Sequence, residues 1–142
     1  MLELKNTITA QNTNLQELQK VLETELHLIS SRDAEALISL LKVKEALLNT
    51  IQEQDLVISK VYTQASQELK DHPEITSLFS EAKELVNQCK FRTQINETAV
   101  EQGQLRLEHL RSLLLESRAK ESMTYDKSGK TRGGSASGGI SA

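Results

Sequence analysis

The stretch ISSRDAEAL, residues 29–37, decides the fold. Ser31 or Asp33 can cap the start of a helix there, because a side-chain oxygen accepts one of the N–H groups that a first turn leaves unpaired. On both sides of this stretch the apolar residues recur at helical spacing. Upstream, Leu4, Ile8, Leu15, Leu18, Leu22, Leu26 and Ile29 fall three, four or seven apart, and this single stripe predicts a first helix over about residues 4–30. Downstream, Leu37, Leu40, Leu41, Leu47, Leu48, Ile51, Ile58, Val61, Ala65 and Leu69 keep a nearly heptad spacing, which predicts a second helix reaching about Lys70. Two long helices joined by so short a connection must run antiparallel.

The second helix is expected to end in DHPEI, residues 71–75, since Pro73 has no N–H to donate and pushes His72 out of the helical region. Pro73 also suits the first turn of a third helix. Its stripe, Ile75, Leu78, Ala82, Leu85, Cys89, Val100, Leu107, Leu110 and Leu114, carries it to about Glu121, on the order of 70 Å at the helical rise. The fold class expected is therefore all-α: an elongated antiparallel three-helix hairpin or coiled-coil bundle, with residues 1–121 as the helical domain. The first helix is shorter than the hairpin formed by the other two. The end around Pro73 is accordingly expected to hold two helices and the opposite end three. Residues 122–142 hold five of the six glycines and many serines. Such a segment buries too little to offset an ordering entropy of roughly 1–2 kcal/mol per residue, so a flexible tail, disordered when alone, is expected there.

Composition narrows the function. Aromatic residues make up 3% of the 142, with no Trp, so a ring-lined pocket is not expected. The 17 basic and 20 acidic residues give a net charge of −3 and alternate along the chain, which leaves no electrostatic footprint for nucleic acid or for an anionic membrane. No apolar run has signal-peptide length or approaches the roughly 18 residues of a membrane span, and a single cysteine, Cys89, cannot form an internal disulfide; the expected location is the cytoplasm. His27, His72 and His109 have no partner at ligand spacing and read as surface residues. GGSASGG, residues 133–139, lacks the Lys-Ser or Lys-Thr of a phosphate loop. No catalytic group, metal or cofactor is expected.

Two charges interrupt the stripes: Glu25 between Leu22 and Ile29, and Lys44 between Leu40 and Leu47. With the turn centred near residue 32, Glu25 lies level with about Ser39, so a direct pair with Lys44 needs an offset of about 7 Å. By level, Arg106 suits Glu25 better, and Glu97 or Glu101 suits Lys44. In the third helix the stripe meets Arg92 and Asn96, while Phe91, Ile95 and Leu105 rise on a neighbouring face. LRLEHLRSLLLE, residues 105–116, adds Leu113, Leu114 and Leu115 in succession, and neighbours about 100° apart cannot all face one side. One face can pack internally and another is left over. Phe91, Ile95, Val100, Leu105, Leu107, Leu110, Leu113 and Leu114 are thus expected to anchor a partner's amphipathic helix. The rival reading is a non-enzymatic coiled-coil scaffold whose stripes close on a second copy.

The hairpin ELQKVLETELHLISSRDAEALISLLKVKEALLNTI, residues 17–51, carries Leu18, Leu22, Glu25, Arg32, Asp33, Leu37, Leu40, Lys44, Leu47 and Leu48 in the order found in flagellar export chaperones of the FlgN type, which it resembles. The ending MTYDKSGKT, residues 123–131, with Tyr125 and Gly129 before a polar tail, is similar to the way that family finishes. One departure is that CKFRTQINETAV, residues 89–100, lacks the Asn-Gly pair of some members. The resemblance implies a cytoplasmic chaperone that holds the hook-filament junction (hook-associated) proteins FlgK and FlgL and delivers them to the flagellar type III export gate. It also implies that Tyr125 docks on the cytoplasmic domain of that gate.

Overall fold

At the deciding stretch the carboxylate of Asp33 accepts the N–H of Ala36 at 3.1 Å and so starts the second helix. The first helix ends at Ser31 and is closed by Arg32, whose φ of 58° is left-handed. There the N–H of Arg32 donates to the carbonyl of Ile29 at 3.3 Å and that of Asp33 to Leu28 at 3.2 Å, which satisfies carbonyls that a helix end leaves open. The computed structural model describes the chain from Met1 to Lys127, with side chains described as far as Lys120. Its elements are α1 (Leu2–Ser31), α2 (Ala34–Gln64), α3 (Gln67–Lys70) and α4 (Pro73–Lys127), with no strand among the described residues. The all-α class read from the sequence holds. α4 runs past Glu121, and the remainder of the expected tail lies outside the described residues.

The second helix stops at Gln64 rather than at Lys70. Ala65 is extended, and Ser66 caps the short α3 by accepting the N–H of Leu69 at 3.2 Å. Val61, Ala65 and Leu69 nonetheless pack on the same cluster, so their spacing of four passes through the break unchanged. Pro73 opens α4 as expected, and the Nδ1 of His72 accepts the N–H of Glu74 at 3.2 Å.

Within Met1–Ala99, one of two compact units, α1 is the central element. It carries nine buried residues, among them Leu4, Ile8, Leu15, Leu18, Val21 and Leu22, whereas α2 carries none. Leu4 and Ile8 meet Ile75, with Ile58, Val61, Leu78 and Phe79 packed around them; further along, Leu18 and Leu22 meet Cys89, with Leu47 and Ile51 against them. This register makes α1 and α4 parallel and α2 antiparallel to both. Each fully buried Leu or Ile contributes about 1.5–3 kcal/mol.

The Pro73 end therefore holds three helices, not two. With 30 and 31 residues, α1 and α2 are matched in length, so the tight turn brings the start of α1 back to the end of α2, where α4 begins. Leu41 and Leu48, expected in the buried stripe of α2, are 47% and 44% exposed, because α2 meets the core along the narrower arc of Leu47, Ile51, Ile58 and Val61.

Candidate functional site

Up to Asn96, α4 is held by a run of polar contacts beside the apolar ones. The guanidinium of Arg92 pairs with Glu23 at 2.8 Å. The buried amide of Asn96 donates to the carbonyl of Leu22 at 2.9 Å and to Oε1 of Glu25 at 2.7 Å. Glu25, also buried, receives the Nζ of Lys44 at 3.0 and 3.3 Å on its two oxygens. Glu25 and Lys44 thus pair directly, in place of the partners inferred from level alone. Side chains lean toward the N-terminus of their own helix, so on antiparallel helices Glu25 leans away from the turn and Lys44 toward it, and the two converge across the offset.

Other amides, buried at Gln11 and Asn12 and half-buried at Gln54, tie α1 to its neighbours. Gln11 donates to the carbonyl of Ile51 at 2.8 Å and to Asp55 at 3.0 Å, Asn12 donates to Leu78 at 3.2 Å, and Gln54 donates to Thr7 at 2.9 Å. These bonds go largely to backbone carbonyls, which fixes helix register; the Oδ1 of Asn12 is buried without a hydrogen-bond partner among the described residues. The Cys89 thiol lies 3.6 Å from the carbonyl of Leu15; burial pushes its pKa up, and Arg92 opposes this. A thiol so placed is a poor nucleophile. Among the described residues no group of His, Cys, Asp and Glu is placed to hold a metal ion.

From Val100 onward, in the second unit, every anchor expected from the sequence is exposed: Val100, Leu105, Leu107, Leu110, Leu113 and Leu114. Leu107 and Leu114 are each 58% exposed, far from the 0% of Ile75 at the start of the same helix. The structure brings Leu107, Leu110 and Leu114 together along one open groove of about 420 Å³, whose remaining lining is Arg111, Leu115 and Arg118. By the 100° step of the helix, Val100 shares this face, Leu113 stands about a quarter-turn away and Leu105 points to the far side. Phe91 is 64% exposed and Ile95 half-buried, and both belong to the Met1–Ala99 unit. The backbone of Tyr125 is part of α4, and its side chain lies outside the described residues.

Arg111, Leu115 and Arg118 were not singled out from the sequence as site residues. The signal was present, since Arg111 follows Leu107 by four residues, Arg118 follows Leu114 by four and Leu115 follows Arg111 by four. What this face offers is leucine surface flanked by guanidinium groups, with no acid–base pair or nucleophile among its lining residues. Such a surface can bury apolar area against another helix. No described helix is long and apolar enough to cross a membrane.

Compared with known protein families, residues 1–133 match the model described as FlgN protein. No curated protein and no solved structure matches the chain.

Proposed function

Because the chain belongs to the FlgN family of flagellar export chaperones, we propose that it binds the helical terminal segments of the hook-filament junction proteins FlgK and FlgL in the cytoplasm, keeps them from assembling early and delivers them to the flagellar type III export gate. The observation that carries this reading is the exposed leucine face of α4 at Leu107, Leu110 and Leu114. An unassembled segment that forms a helix with one apolar face self-associates unless another helix covers that face. A leucine groove covers it by burying apolar area, worth about 25 cal/mol per Å² before the losses of ordering and association. Tyr125, farther along α4, is the residue assigned to gate docking. An aromatic anchor eleven residues past Leu114 in the sequence lets one chain engage cargo and gate together.

The test is calorimetric titration of the full chain with the C-terminal segment of a junction protein. Binding with a negative heat-capacity change is expected, since apolar surface is buried. Leu110→Asp should abolish it while the circular dichroism of the chaperone stays helical, and undiminished binding by that variant would refute the assignment. Tyr125→Ala should keep cargo affinity and lose affinity for the cytoplasmic domain of the gate. Loss of both would return Tyr125 to a structural role.

A further inference from the structure

The exposed face of α4 has a charge pattern as well as an apolar one. Val100, Gly103, Leu107, Leu110 and Leu114 follow one another at intervals of three, four, three and four, the spacing of the seam positions of a heptad. Counted from that seam, Arg106 flanks it on one side and Arg111 and Arg118 flank it on the other; the last two line the same groove as the leucines. All three are exposed, and none forms an ion pair with a described residue. The acids of the segment, Glu101, Glu108 and Glu116, fall at positions off the seam and its flanks. Basic and acidic groups are thus sorted by face.

This sorting bears on what can cover the leucines. In a pair of helices the flanking positions of one lie against those of the other. A second copy laid parallel would set Arg106 against Arg111, and one laid antiparallel would set Arg111 and Arg118 against themselves. Like charges meet in both orientations, which disfavours pairing. A membrane surface is also a poor fit, because helices that lie on anionic lipid carry a strongly cationic polar face, whereas here three glutamates occupy it.

We propose that this face is selective by charge: its occupant is an amphipathic helix with Asp or Glu flanking its apolar stripe, and the arginine flanks exclude a second copy of the chain. The proposal rests on the reading of α4 as a cargo-docking helix and adds the chemistry by which that helix chooses.

The experiment uses the full chain and two synthetic helical peptides of identical apolar stripe, one with Glu and one with Lys at every flanking position. The Glu peptide should bind at least about tenfold more tightly at low salt, and the ratio should shrink as added salt screens the exposed charges. The triple variant Arg106→Glu, Arg111→Glu, Arg118→Glu should reverse the preference, its helicity being checked by circular dichroism. Equal binding of both peptides by the unsubstituted chain overturns charge selection and leaves the docking reading standing. Failure of both peptides and of the junction-protein segment, with the chain folded, overturns the docking reading as well. Self-association abolished by Leu110→Asp would overturn the proposal in favour of a second copy, and stronger binding to vesicles containing phosphatidylglycerol than to the Glu peptide would overturn it in favour of a membrane.

Discussion

Residues 73–99 and 100–120 of α4 are two stretches of one helix with similar alternation of leucines and charges, yet one is largely covered and the other largely bare. The first buries Ile75, Leu85, Cys89 and Asn96; the second exposes Val100, Leu105, Leu107, Leu110, Leu113 and Leu114. Within its own unit the first stretch packs on α1, whose buried Glu25 meets Asn96. An amphipathic stripe therefore states that a helix has a face to cover, and only the burial shows where the chain covers it.

The sharpest way to break this comparison is to truncate a leucine-class side chain in each stretch. Ile75→Ala removes most of a fully buried side chain and should cost about 2–5 kcal/mol in urea unfolding. Leu110→Ala, on a side chain 53% exposed, should change stability by no more than about 0.5 kcal/mol. Similar losses from both would mean that the distal stretch belongs to the folding core.

Next in size is the contact that closes the first stretch. Lys44→Ala would leave the carboxylate of Glu25, 8% exposed, with Asn96 as its remaining partner. Breaking a buried pair from one side costs about 3–5 kcal/mol. Because the Lys44 side chain is itself 22% exposed and water can reach its place, a loss of about 2 kcal/mol is expected. A loss below about 0.5 kcal/mol in the same unfolding assay would show that the pair does not hold register at the Asn96 level.

These two tests bear on what the sequence made legible. The residues that decide the core, from Leu4 through Cys89, stand at helical spacing, and the Asp33 cap and the Pro73 start are chemical signals that read directly. The break at Ala65 was hidden because Val61, Ala65 and Leu69 keep the spacing of a continuous helix. The pairing of Glu25 with Lys44 was hidden because counting levels ignores the lean of side chains along a helix. Gln11, Asn12 and Asn96 are polar, so no apolar stripe could announce that they are buried. The leucines of the candidate site were legible as residues that need a partner. Arg111 and Arg118 were missed because a search for apolar anchors passes over the charges beside them.

The smallest expected effect tests the distal stretch from within. Gly103 is an interior residue of α4, and a Cβ added there meets nothing within 4 Å, so no close approach of another element requires glycine. Glycine costs an exposed helix about 1 kcal/mol relative to alanine. Gly103→Ala should therefore slow amide exchange across residues 100–120 about fivefold, as 1 kcal/mol implies, while the urea midpoint set by the Met1–Ala99 core stays where it was. A shift of that midpoint would show that the two stretches unfold together, and the comparison would fail. Cargo affinity reads something further, because Gly103 leaves a gap in the seam between Val100 and Leu107. If the gap is only a local weakness of the helix, the alanine variant binds cargo as well or better. If affinity falls although the helix is firmer, the methyl occupies space that a large side chain of the partner fills.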